Sequence, residues 1–329
     1  GNCVRLTQKY RNPEEKDFMK RSLGFPVAIV ILLFFSSPSL AFWIWTPESG
    51  KWVNPKYAVK ETPQDHLAYA RNFLEAKDYK KARDEFQKLL KHYPRAREAA
   101  EAQYYIGLSQ ENEGQSAQAF KSYQVVIQKY PFSERSGEII KRQYEIGNQL
   151  MEGKDSKNKF VKTVVGGDYD VIEVFRAVIK NAPYGEYAAP AQYKIGLYLL
   201  GKAMHQEARD EFEKTINDYP SSEWAKAAKY QIALADAMRS SKPQYDQKIT
   251  ASAVNEFKDF LKEYPDAELS QQAQGQIDHL REKEAENYFV IAEFYEKQKQ
   301  PESAKIYYTT IVEDYKNTFF RLRETLNKQ

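Results

Sequence analysis

The chain has 329 residues, enough for two average domains or one long repeat array, and 42% hydrophobic with 14% aromatic residues excludes a disordered chain. Of its 49 basic and 46 acidic residues, six and three fall in residues 1–41, which leaves 43 of each beyond; a nucleic-acid binder would carry a basic excess, so no nucleic-acid partner is expected. The one cysteine, Cys3, excludes a disulfide framework and a cysteine zinc site, while few Gly and Pro (14 each) beside 24 Tyr fit helices packed through aromatic side chains.

Residues 1–18 are polar and read as an upstream extension ahead of a natural start at Met19. Met19-Lys20-Arg21, about a dozen apolar residues, a break at Ser36–Pro38 and small residues at Ser39 and Ala41 describe a secretory signal peptide over 19–41. Its apolar stretch is short for a membrane span, which takes about 20 residues, although Phe42–Trp45 lengthens it and leaves a retained anchor open. Residues 42–63 hold three of the four tryptophans. Alternation on either side of Pro47-Glu48-Ser49-Gly50 predicts a hairpin with Trp45 opposite Trp52, and a plain linker is the alternative. A lone hairpin is marginal in water, so Trp43, Trp45 and Trp52 should dock on the array, on a partner or at a membrane surface. Peripheral membrane association is thereby left open.

From residue 64 the chain repeats. Tyr93-Pro94, Tyr130-Pro131, Ala182-Pro183, Tyr219-Pro220 and Tyr264-Pro265 each follow an aromatic eight residues before the proline: Phe86, Tyr123, Phe175, Phe212 and Phe257. Four residues earlier comes Ala82, Ala119, Val171, Ala208 or Ala253. Ala304, Tyr308 and Lys316 form a sixth copy without the proline. Further upstream, each copy has Ala or Gly: Ala70, Gly107, Gly147, Gly196, Ala233 and Ala292. This is the tetratricopeptide (TPR) pattern, and it predicts an all-α solenoid of about six helix-turn-helix units over 64–316 with a closing helix at 317–329. A small residue on the first helix lets the second approach, the aromatic fills the space between them, and proline stops the second helix. Asp78 and Ser222 are placed to cap helices, and Pro301 suits a first helical turn. Unit three gains an insertion at 154–168, read as a crossover loop tucking in Phe160 and Val164. Unit five gains one near Ser240–Pro243, and extra residues after Pro265 predict one long helix from about Ala267 to Gln298.

First helices of such units line a groove. The positions flanking the small residue read Leu67, Tyr104, Tyr144, Tyr193, Tyr230 and Phe289 on one side and Leu108, Asn148, Leu197 and Leu234 on the other. The tyrosines either form an aromatic ladder that holds an extended or helical protein segment, or pack between helices. The first reading requires accessible rings, the second sealed ones. No enzyme motif appears: His66, His92, His205 and His279 lack partner spacing, Gly166-Gly167 is not completed into a phosphate loop, and no cofactor or metal is expected.

Ala253-Val-Asn-Glu-Phe-Lys-Asp-Phe-Leu-Lys-Glu-Tyr-Pro265, Ile291-Ala-Glu-Phe-Tyr295 and Ala304-Lys-Ile-Tyr-Tyr308 resemble the BamD family, TPR lipoproteins of the outer-membrane β-barrel assembly machinery. The resemblance covers most of 64–316 and is densest over Ser252–Tyr315. It implies a non-enzymatic scaffold on the periplasmic face of the outer membrane. Its amino-terminal half would receive unfolded barrel precursors and its carboxy-terminal half would dock barrel-assembly components. The sequence departs from that family in having Phe42, not Cys, after the leader, an extra unit and a truncated last one, so a lipid anchor is not implied. A general periplasmic adaptor of a division, secretion or lipoprotein-transport complex is the alternative.

Overall fold

The computed structural model describes residues 43–46, 50–54, 58–153, 171–240, 247–266 and 268–318, in two units, 1–58 and 59–329. The leader, Cys3, the insertion at 154–168 and residues 319–329 lie outside the described residues.

In the first unit, β1 (Ile44–Thr46) pairs antiparallel with β2 (Lys51–Val53), with Trp45 opposite Trp52 and Gly50 at φ +60° in the turn. Trp43, Trp45 and Trp52 are all exposed.

The second unit is a run of helix pairs: α1 (Pro63–Glu75) with α2 (Tyr79–His92), α3 (Glu98–Asn112) with α4 (Ser116–Lys129), α5 (Ser136–Met151) with α6 (Val171–Asn181), α7 (Ala188–Gly201) with α8 (His205–Asp218), α9 (Glu223–Arg239) with α10 (Gln247–Glu263), and α11 (Ser270–Lys297) with α12 (Pro301–Asp314). Each helix packs on the next in sequence, and α1 on α3 and α7 on α9 show first helices also touching across units. The result is an all-α TPR solenoid. The long α11 ends within a residue of the predicted Gln298, and begins three residues inside the predicted start. Asp78 accepts from the Lys81 amide, Ser222 from the Ala225 amide, and Pro301 stands in the first turn of α12.

The repeat positions explain the packing. Ala82, Ala119, Ala208 and Ala253 are sealed, and so are the second-helix aromatics Phe86, Tyr123, Phe175, Phe212 and Phe257. Glycine is required where those rings press on the first helix. A Cβ at Gly107 would lie 2.6 Å from the Tyr123 ring, at Gly147 2.6 Å from Phe175, and at Gly196 2.5 Å from Phe212. Only hydrogen leaves room for such an approach. The turn is also repeated inside five of the pairs: Lys77, Gly114, Gly153, Ala203 and Lys299 take positive φ. At Lys77, Gly114, Ala203 and Lys299 two backbone bonds close the first helix, as in Lys77 N–H to Leu74 C=O and Asp78 N–H to Phe73 C=O.

The start of the array is tied down through a buried histidine. His66 Nδ1 accepts from the Lys60 amide at 3.2 Å, which makes Nε2 the protonated nitrogen donating to the Glu85 carbonyl at 3.0 Å. Tyr93 Oη donates to the Lys60 and Glu61 carbonyls, so the segment before α1 is held from two sides. Burial pushes the His66 imidazole below its ordinary 6.5, with Lys88 and His92 adding to the effect against the opposing Glu85 carbonyl and carboxylate. Below pH of about 6.5 the unfolded chain therefore takes a proton that the folded chain resists, and stability present above that pH is lost as pH falls through the folded value. Urea-denaturation midpoints should fall more steeply from pH 7 to pH 5 in the parent than in His66→Gln. Parallel slopes would show that the ring does not govern this loss.

Candidate partner-binding surface

The structure sorts the predicted groove residues into two groups. Tyr104, Tyr193, Tyr230 and Phe289 are buried, at 2, 7, 6 and 6% exposure, and Leu67, Leu108, Tyr144, Asn148, Leu197 and Leu234 are half-buried. The aromatic of each first helix packs on the aromatic of its own second helix, at centroid distances of 5.9 Å (Tyr104–Tyr123), 5.8 Å (Tyr144–Phe175), 5.5 Å (Tyr193–Phe212), 5.6 Å (Tyr230–Phe257) and 5.9 Å (Phe289–Tyr308). An open aromatic ladder is therefore corrected. The rings are the packing between helices, because the glycine or alanine three residues on draws the second helix in over them.

What the tyrosines present instead is their hydroxyl ends. Tyr104 Oη donates to Glu138 at 2.5 Å and Tyr123 Oη to Glu111 at 2.6 Å. Arg142 bridges Glu111 at 3.2 Å and Glu138 at 3.0 Å, and Arg135 ties Glu101 to Glu138 at 3.0 Å each while lying over the Tyr104 ring. Burial alone would raise the Glu138 carboxyl, but bonds from Tyr104, Arg142 and Arg135 outweigh it and hold the group below the usual range. Burial and then Glu138 push the Tyr104 phenol well above its ordinary 10. This lattice of charge-assisted bonds couples α3 to α5, so it fixes the spacing of successive first helices. Further along, Gln231 Nε2 donates to Tyr193 Oη, while Trp224 packs on the Tyr193 ring at 5.2 Å. Leu108, Leu197 and Leu234 are half-buried and pack against the cores of the array. The side-chain oxygen of Asn148 is buried without a hydrogen-bond partner.

The charge lattice was not part of the sequence reading. Its members sit three to four residues apart within α5 and about 30 across the α3–α5 pair, a spacing equal to the repeat length that could have exposed it.

Comparison with known proteins agrees with this architecture. The tetratricopeptide repeat model matches residues 67–96, 101–133 and 190–222, which lie in the first, second and fourth helix pairs. The chain thus carries TPR repeats in those pairs. A second model, YfiO, an outer membrane lipoprotein, matches residues 233–328. The outer membrane protein assembly factor BamD of Rickettsia prowazekii is 25% identical over 147 residues, an alignment covering 45% of this chain and 59% of that protein. The chain therefore resembles BamD, and the match spans less than two thirds of that relative's length. Among solved structures, a TPR repeats protein of Bacteroides fragilis (15% identity, 67% of this chain and all of that one, TM-score 0.44) is similar. So is the carboxy-terminal part of a TPR protein of Cytophaga hutchinsonii (14% identity, 80% and 87%, TM-score 0.37). The TPR and BamD-like families are protein-interaction scaffolds rather than catalysts. Among the described residues no helix is long and apolar enough to cross a membrane.

Proposed function

We propose that this chain is a non-enzymatic scaffold of the cell envelope with a BamD-like part in outer-membrane protein assembly. The observation that carries the reading is the outer-membrane lipoprotein match at 233–328, which falls on α9 to α12 of a TPR array and encloses the stretch of densest resemblance, Ser252–Tyr315. In this reading the chain is exported by its leader and works at the periplasmic face of the outer membrane. The first-helix row of α1 to α7 holds extended segments of barrel precursors along Leu67, Leu108, Tyr144, Asn148 and Leu197, and the last two helix pairs dock barrel-assembly components. Burial of Tyr104, Tyr193 and Tyr230 moves the contact from aromatic faces to the aliphatic and polar residues beside them.

A tagged full-length chain used to capture partners from envelope extracts should recover barrel-assembly proteins. Leu108→Gln with Leu197→Gln should weaken capture of precursor segments while the helical circular dichroism signal stays. Recovery of division or secretion proteins alone would replace this reading with the adaptor one.

A further inference from the structure

Two turns between units carry fully exposed aromatics at the residue after the proline: Phe132 and Tyr184, each 98% exposed. The other turns have Arg95, Ser221 and Asp266 there. Tyr184 stands at the rim of an open surface depression of about 530 Å³ between the turn before α7 and the turn before α9. Tyr219 and Trp224 supply further aromatic walls, and Glu186 and Glu223 bring carboxylates to the same space. No lysine or arginine lines the cavity among the described residues.

Two of the lining residues are held by their neighbours. Trp224 is packed against Tyr193, and Ser222 spends its hydroxyl locally, accepting from the Ala225 amide at 3.2 Å and donating to the Tyr219 carbonyl at 2.8 Å. Burial, then Asp218 and Tyr184, pushes the Tyr219 phenol above its ordinary value. Such a space suits a cation with a flat face. A guanidinium is planar, is less strongly hydrated than an ammonium, stacks on aromatic rings and meets carboxylates through paired N–H groups. An exposed tyrosine with a tryptophan beside a cavity is also the composition of a protein-binding anchor.

We infer that the cavity walled by Tyr184, Tyr219 and Trp224 is a second interaction site, which takes the arginine side chain of a partner polypeptide. It lies at the amino-terminal ends of α7 and α9, and it stands whether or not the outer-membrane reading holds.

The test titrates the full chain with N-acetyl-arginine amide while following the Trp224 indole N–H by NMR, assigned by its loss in Trp224→Phe. Saturable shifts are expected, with N-acetyl-citrulline amide binding about tenfold more weakly because it keeps the shape and loses the charge. Tyr184→Ala, at a fully exposed residue, and the pair Glu186→Gln with Glu223→Gln should each weaken arginine binding by about tenfold with the fold unchanged by circular dichroism. Equal binding of the citrulline compound, equal binding of N-acetyl-lysine amide, or an unchanged titration in the glutamine pair would overturn the assignment, as would the absence of a saturable shift.

Discussion

Replacing Phe212 by alanine should lower the stability of the array by about 3–5 kcal/mol, read from urea denaturation. Phe212 is fully buried on α8, packs on the Tyr193 ring at 5.5 Å and presses against the backbone of α7 at Gly196. Its removal leaves a void between the helices of one pair, and the facing helices can close over it only by losing the contacts that each makes with the next unit. In a solenoid whose stability is the sum of units and the interfaces between neighbours, the loss should centre on α7 to α9. Amide exchange should rise there more than in α1 and α2. The companion variant, Gly196→Ala, approaches the same contact from the other side. Alanine favours the helix by about 1 kcal/mol over glycine. The added methyl, however, would stand 2.5 Å from a ring that is sealed on all sides, and overpacking of that kind costs about 1–3 kcal/mol. Net destabilisation is expected, and Phe212→Leu in the same chain should recover part of it by withdrawing the ring edge. If Gly196→Ala is stabilising on its own, the close approach of ring and backbone is not what selects glycine at this position.

That contact was legible in the sequence, because Gly107 and Gly196 stand in register with Tyr123 and Phe212, and Gly147 precedes Phe175 with the insertion of unit three between them. Small residue, aromatic and proline repeat together only if two helices must meet at one place in every unit. The long α11 was legible for a related reason: added residues between two repeat positions can keep both on one face only as whole helical turns. The destination of the tyrosines was not. Tyr104, Tyr193 and Tyr230 lie on the helix row that faces a groove, and one-dimensional spacing does not say whether a ring at that position turns outward or leans under the neighbouring second helix. What decides it is how near the glycine lets that helix come, a distance with no counterpart in the sequence. The inner turns were half legible. Gly114 and Gly153 advertise positive φ, whereas Lys77, Ala203 and Lys299 adopt the same conformation against their own preference, held by the paired backbone bonds that close the preceding helix. The charge lattice of Glu101, Glu111, Glu138, Arg135 and Arg142 stayed hidden because charged residues on helix surfaces usually face water, and only the side-by-side placement of α3 and α5 turns them toward one another.

A second charged junction gives the other large effect. Arg209 on α8 binds Asp236 of α9 at 2.9 Å and Glu256 of α10 at 2.7 Å, so one side chain joins three helices from two units. Asp236 is buried and is also held by Arg239 at 3.2 Å. Glu256 has no such second support: its other carboxylate oxygen is buried without a partner. Burial pushes the Glu256 carboxyl up, against the pull of Arg209, so the folded chain already holds this charge at some cost. Arg209→Met keeps the aliphatic stem and removes the cation. It should destabilise the array by about 3 kcal/mol at pH 7, the low end for a broken buried pair because the guanidinium is partly exposed. The sign of the pH dependence follows from Glu256. A carboxyl raised in the folded state takes up its proton there first, so the penalty is present at neutral pH and fades as pH falls through the folded value. The deficit of Arg209→Met relative to the parent should therefore shrink between pH 7 and pH 5. Adding Glu256→Gln to Arg209→Met should recover a large part of the loss at pH 7, since a neutral amide can sit in the same place without a counter-charge. Denaturant midpoints of the parent, the two single variants and the double variant at both pH values form the measurement. A double variant no more stable than Arg209→Met would show that the arginine is valued for spanning three helices, and that the stranded carboxylate contributes nothing to the loss.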